Sequence, residues 1–180
     1  GAFNLELSGP AELAAPKALL VATGGNRRLQ KVSFKMEKGT LQMSMIPFDT
    51  HATILALADS DPLVGLDVTG VDRGPADLLM VQPGSTLQLT ATVYNPSPAP
   101  ISAGQVQLWA PEGWFVNTSQ KSCPAIKAWG SATVKFEVKA PAIGGATRLR
   151  PIVVKHIAGG KTSTPATEEV WWNRSEKSAF

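Results

Sequence analysis

Few side chains in this 180-residue sequence have the types and spacing that catalysis or metal binding requires. Asp49 and His51 are two residues apart and would share one face of a strand, but no Gly-x-Ser-x-Gly motif supplies a nucleophile. The two histidines and the single cysteine form no HExxH or CxxC pattern, which argues against a transition-metal site. The sequence therefore predicts no catalytic residues, no metal site and no cofactor.

A group of aspartates around residues 58–77 raises the alternative of a calcium site. Their spacing lacks the regular alternation and the closing glutamate of a known calcium loop, so a polar linker is the favoured interpretation. The residues are Asp59, Asp61, Asp67, Asp72 and Asp77. The fourteen acidic residues as a whole fall on predicted turns and outward strand positions, and no pair suggests glycoside hydrolysis.

The tryptophans have the clearest potential for binding. Trp109 shares the polar side of a predicted strand with Gln105 and Gln107, and strand alternation sends Trp172 inward and Trp171 outward. A flat exposed aromatic ring beside amides is suited to stacking on a sugar. Two hypotheses follow for these outward residues. They bind carbohydrate, or they pack against a module formed by residues 1–58 or against a catalytic domain absent from this sequence.

Composition predicts the elements that position these side chains. The chain is 43% apolar and 17% charged, with 16 glycines and 14 prolines spread along it, as suits many short strands joined by turns. The net charge of +3 is mild, and the basic residues alternate with apolar ones on predicted strands. These basic residues are therefore interpreted as a strand face exposed to water rather than as a binding site for an anionic partner. No nucleic acid partner is expected. No apolar run has the length of a membrane span.

Residues 1–58 are predicted to form a small β-module. Its clearest hairpin turns at Lys38 and Gly39 and has alternating apolar residues at Val32, Phe34, Met36, Leu41, Met43 and Met45. Four or five strands are expected here, too few for an independent double sandwich, so the module would lean on a neighbour. The hairpin of residues 31–46 with the final strand of residues 47–57 resembles the small β-domain that follows the catalytic barrel in many glycoside hydrolases.

Residues 61–180 are predicted to form an immunoglobulin-like β-sandwich after a polar boundary at residues 58–62. Alternating apolar residues predict strands at 87–93, 106–110 and 134–138, and a hairpin over residues 146–172. Strands at such regular spacing, with turn signals between them, are typical of a sandwich. The fold class predicted for the whole chain is therefore all-β.

Four segments of this second module resemble, in order and spacing, the immunoglobulin-like domain associated with NPCBM modules in bacterial alpha-galactosidases. They are residues 83–87 (PGSTL), 91–95 (ATVYN), 110–114 (APEGW) and 130–138 (GSATVKFEV). Trp129 departs from the pattern, because it stands where proline usually precedes Gly130. The resemblance implies a spacer or packing domain and transfers no binding residues to this chain.

The leading functional hypothesis is a non-catalytic accessory region of a secreted bacterial glycoside hydrolase. Because the chain opens at Gly1 almost inside a strand pattern, we expect it to be a piece of a longer protein. Its expected partner is the missing catalytic domain of the same chain, and a secreted, periplasmic or cell-surface location follows. Two alternatives stay open: a carbohydrate-binding module that holds a polysaccharide on its tryptophans, and a surface adhesion or scaffold protein built from immunoglobulin-like domains.

Overall fold

The computed structural model describes residues 4–8, 18–23, 26–37, 40–44, 52–57, 61–74, 78–142 and 148–172. All of the regular structure in these residues is β-strand, arranged in four sheets, which confirms the predicted all-β class and its sandwich. The strands are β1 (Asn4–Ser8), β2 (Ala18–Thr23), β3 (Asn26–Val32), β4 (Phe34–Glu37), β5 (Thr40–Ser44), β6 (Ala52–Leu57), β7 (Leu63–Thr69), β8 (Asp72–Arg73), β9 (Leu79–Val81), β10 (Thr86–Tyr94), β11 (Gly104–Trp109), β12 (Phe115–Val116), β13 (Gln120–Cys123), β14 (Ser131–Lys139), β15 (Arg148–Ala158), β16 (Lys161–Thr162) and β17 (Ala166–Trp172).

The first six strands form two three-stranded sheets, in the orders β1-β5-β4 and β3-β2-β6. Leu19 and Val21 of one sheet are buried in a single cluster with Leu41 and Met43 of the other, so the two sheets face each other. The prediction of four or five strands was wrong. The chain changes sheets at Ser33, and the apolar alternation continues unbroken across that change, so the sequence pattern hides the separate strand β3.

The remaining strands form a larger sandwich. Its four-stranded sheet has the order β12-β14-β10-β7, and its seven-stranded sheet has the order β13-β11-β15-β17-β9-β8, with β16 paired to β15. β10 pairs with β14 along its whole length, which places Leu89 opposite Phe136. β9 runs parallel to β17, whereas the other pairs in these two sheets are antiparallel. The assignment of residues 1–58 and 61–180 to separate domains stays a prediction.

The core of the larger sandwich lies between its two sheets. Phe136 is the largest fully buried side chain, and Trp114 meets Trp172 edge to face with 6.3 Å between ring centroids. Trp114 reaches the core through a turn in which Gly113 has a φ of 79° and the Trp114 N–H donates to the Pro111 carbonyl. A positive φ is readily adopted by glycine, which explains why this position favours it. Cys123 is buried in the same core, and burial raises the pKa of its thiol.

Candidate functional site

The outward surface of the seven-stranded sheet carries the candidate residues. In the β11–β15 ladder Gln105 stands opposite Ile157, Gln107 opposite Lys155 and Trp109 opposite Val153. Directly opposite residues of an antiparallel pair project from the same face. Trp109 is 45% exposed, so the structure places this ring and both glutamines on the side of the sheet that faces water. We call this side of the seven-stranded sheet the outer face.

The surroundings of Trp109 on this face are polar. The Lys155 ammonium lies 4.6 Å from the centroid of the Trp109 ring, within the range of a cation–π interaction. The Gln107 amide donates to Gln120 Oε1 at 3.3 Å, and the Gln120 amide donates in turn to Gln105 Oε1. The Trp109–Lys155 pair and the three glutamines are neighbours because Gln107 stands opposite Lys155, and we call these five residues the polar half of the outer face.

Trp171 lies on the same face in different surroundings. It stands opposite Leu149 on one side and opposite Met80 on the other, and Leu149 is 43% exposed. Pro151 is exposed beside them, beyond the last β11–β15 pair and opposite Glu169 on β17. We call Met80, Leu149, Pro151 and Trp171 the apolar half of the outer face.

The two candidate tryptophans do not form one site. Trp109 stands opposite Val153 of β15, which in turn stands opposite Thr167 of β17. Trp171 follows Thr167 by four residues along β17. Strand geometry puts the two positions roughly 10 Å apart across the sheet and roughly 13 Å apart along it. The sheet therefore brings Gln105 and Gln107 to Trp109, and places Trp171 between Leu149 and Met80, with Glu169 two residues before it on the same face.

The other residues considered for catalysis or metal binding do not come together in the part of the chain that the structure describes. Asp49, His51, Asp59 and Asp77 lie outside the described residues. Among the residues within that description, no three His, Cys, Asp or Glu side chains come together to hold a metal ion. Asp61 lies 3.9 Å from the Lys161 ammonium in an exposed ion pair. Over the same ranges, no helix is long and apolar enough to cross a membrane.

One buried polar residue was missed by the sequence reasoning. His156 is 1% exposed and shares the inward face of β15 with Ile152 and Val154, an alternation that was available in the sequence. Its backbone N–H donates to Ser163 Oγ at 2.9 Å, and its carbonyl accepts from the Ser163 N–H at 2.8 Å. The imidazole Nε2 has no hydrogen-bond partner among the described residues, and burial lowers the pKa of His156.

Acidification is expected to destabilise the sandwich through His156. The unfolded chain takes up a proton near the ordinary histidine pKa of about 6.5, whereas the folded state resists protonation because its pKa is lowered. Stability is therefore complete above about pH 6.5 and falls below it, by at most about 1.4 kcal/mol per pH unit for this one group. Urea unfolding at about pH 7.5 and about pH 5.5 measures the loss.

The variant His156→Gln is the comparison for that measurement, and it should show a shallower pH dependence. A native-state NMR titration gives an independent readout that does not require the variant to fold. A His156 imidazole that titrates in the folded protein with a midpoint at or above about 6.5 would contradict the prediction.

A comparison with known protein families finds a match to part of the larger sandwich. Residues 81–150 match the family model of the NPCBM-associated, NEW3 domain of alpha-galactosidase. The matched segment lies within the larger sandwich and covers less than half of the chain. The resemblance predicted from the sequence is thereby confirmed over these residues, whereas the glycosidase-like character of residues 1–58 lies outside the NEW3 match and stays a prediction. NEW3 domains are accessory domains rather than catalytic ones. The NEW3 segment includes Trp109 but neither Lys155 nor Trp171.

Several solved structures resemble the chain at low identity. A family 123 glycoside hydrolase from Clostridium perfringens is 11% identical over 61% of this chain and 27% of its own, with a TM-score of 0.32. A membrane-anchored protein from Corynebacterium diphtheriae is 13% identical over 97% of this chain and 54% of its own, with a TM-score of 0.41. The E. coli chaperone DraB is 19% identical over 60% of this chain and 53% of its own, with a TM-score of 0.31. The chain thus spans about half or less of the length of these structures. No curated protein matches the sequence.

Proposed function

We propose that this chain is a non-catalytic accessory region of a secreted bacterial glycoside hydrolase, and that it packs against a neighbouring domain to hold that domain in position. The apolar half of the outer face carries the proposal. The match to a NEW3 domain of alpha-galactosidase supports the enzyme class, and with it a location outside the cytoplasm.

The apolar half differs from the usual outer surface of an antiparallel sandwich. One face of each sheet normally meets the core and the other meets water, with polar side chains on the wet side. Here Leu149 and Pro151 are exposed, while Trp171 and Met80 are half-buried beside them. Clustered apolar side chains on a soluble domain mark a contact surface, and a neighbouring domain of the same chain would remove them from water.

Calorimetry of the full-length natural protein tests this packing role. If the apolar half is covered by a neighbour, Trp171→Ala should uncouple the two domains, so that a shared unfolding transition separates and the neighbour melts several degrees lower. The matched control is Phe115→Ala, which removes an aromatic ring that is 66% exposed on the other sheet. Equal melting profiles for the two variants would overturn the proposal.

A second candidate function is direct carbohydrate binding by the polar half. Its supporting observation is the exposed Trp109 ring, which lies beside the amide row of Gln105, Gln107 and Gln120. Affinity electrophoresis of the chain through gels that contain polysaccharide measures this activity, and unretarded migration in every gel would reject it. The third hypothesis, an adhesion or scaffold protein, has no specific observation in its favour.

A further inference from the structure

We propose that the polar half of the outer face binds an acidic carbohydrate, with Trp109 stacking on the sugar ring and Lys155 pairing with its carboxylate. This inference rests on the second candidate function and extends it by assigning the charge of the ligand. It is independent of the packing role, because the apolar half carries that role.

The first step in the argument is the position of Lys155. Its ammonium lies over the Trp109 ring on a surface open to water, and no carboxylate among the described residues lies within ion-pair distance of it. Glu169 projects on the same outer face but stands opposite Pro151, in line with the apolar half. The Lys155 ammonium is thus a surface charge that contacts the Trp109 ring and has no anionic partner among the described residues.

The second step is the order of the amide row. Each of the three glutamines takes part in a hydrogen bond with another, so their amide groups are held in place before any ligand arrives. Amides offer both donors and acceptors, which is what sugar hydroxyl groups require. Groups that are already ordered lose less conformational entropy on binding. Gln107 is the member of the row nearest to Trp109 along β11, two residues before it on the same face.

The charge of the ligand follows from what binding does to Lys155. A neutral sugar that covers the Trp109 ring would displace the Lys155 ammonium from the ring face and supply no opposite charge in return, which is unfavourable. A uronic acid residue supplies a carboxylate for the displaced ammonium while its apolar ring face covers the indole. Charge-assisted hydrogen bonds of this kind are stronger than neutral ones. The chemistry therefore favours a polysaccharide of uronic acids over a neutral one.

Calorimetric titration of the chain with trigalacturonate and with neutral galactotriose tests the inference at about 0.15 M salt, where long-range attraction is screened. We expect binding of the acidic trisaccharide and weaker or undetectable binding of the neutral one. Trp109→Ala and Lys155→Gln should each weaken acidic binding by about tenfold or more, and Lys155→Arg should retain most of it. The matched controls are Phe115→Ala and Lys135→Gln, which alter exposed residues on the other sheet and should bind like the wild type.

Each outcome of this titration is decisive. Acidic binding that is lost equally in the control variants would show a general attraction of the basic chain for polyanions, and would overturn the site. Equal affinity for both trisaccharides, unchanged in Lys155→Gln, would overturn the acidic assignment and leave the second candidate function standing. Absence of binding to either sugar would overturn both, while the packing role would remain open to its own calorimetric test.

Discussion

Replacement of Asn95 by alanine is expected to lower the free energy of unfolding of the larger sandwich by about 3 kcal/mol. Asn95 is a polar residue only 2% exposed at one end of the sandwich. Its amide donates to the carbonyls of Ala99 (2.7 Å), Lys127 (3.0 Å) and Ile126 (3.3 Å), and its Oδ1 accepts from the Ser97 N–H at 3.0 Å. Alanine would remove the hydrogen bonds to the Ala99 carbonyl and from the Ser97 N–H and would disconnect two loops at once, whereas the Ile126 and Lys127 carbonyls would keep their backbone donors.

Urea unfolding followed by tryptophan fluorescence measures this loss. Asn95→Asp keeps the acceptor for Ser97 but removes the amide donors, so it should be nearly as destabilised as the alanine variant. Ser97→Ala is the matched control, because it removes only an exposed hydrogen bond to the Ala99 N–H and should cost about 0.5–1 kcal/mol. An Asn95→Ala protein within about 1 kcal/mol of the wild type would contradict the role assigned to this network.

Gly104→Ala should destabilise the seven-stranded sheet by a similar amount, about 3 kcal/mol. A Cβ atom at this position would lie 2.2 Å from the Ile157 carbonyl oxygen and 2.7 Å from the Ala158 Cβ. The first of these is a backbone atom of the neighbouring strand, so β15 would have to move to admit a methyl group. Because Gln105 and Gln107 follow directly on β11, the change should also disturb the polar half.

The matched control for this clash is Gly113→Ala. Gly113 has a φ of 79°, but a Cβ there would meet nothing within 4 Å, so only backbone strain of about 1 kcal/mol is expected. Urea unfolding of the two variants separates steric exclusion from backbone strain. Equal destabilisation would contradict the close approach of β11 and β15 at Gly104.

The long strands of the larger sandwich were predictable because their alternation is local. Leu87, Leu89, Ala91 and Val93 are buried in turn along β10, as their period of two indicates. The strands of two to four residues in this sandwich gave no such signal. β9 has three residues and pairs with β17, which is distant in the chain, and with β8, which has only two residues, so its alternation is too short to reveal it.

Trp129 shows where the family pattern and the backbone disagree. Its φ is 56°, in the left-handed region that a bulky residue seldom adopts. Proline, which the pattern favours at this position, is fixed near −65° and could not take that conformation. The Gly130 N–H closes the turn on the Lys127 carbonyl, and this turn belongs to the loops that Asn95 connects. The local backbone here therefore differs from the one that proline would impose.

The candidate site was only partly predictable. Alternation correctly sent Trp109 outward with its glutamines and Trp171 outward from Trp172, because these relations lie within single strands. The division of the outer face into two halves depends on register between strands. Lys155 reaches Trp109 only through the pairing of β11 with β15, and Leu149 reaches Trp171 only through the pairing of β15 with β17. The roles of these residues stay predictions.

Hydroxyl-radical footprinting of the full-length natural protein, compared with this chain alone, tests the packing role most directly. The account predicts that Trp171 and Leu149 are oxidised in the isolated chain and protected in the full-length protein, because a neighbouring domain covers them. Trp109 should be oxidised equally in both, since the polar half stays open to ligand, and Phe115 provides the exposed reference on the other sheet. Equal oxidation of Trp171 in the two proteins would contradict the account.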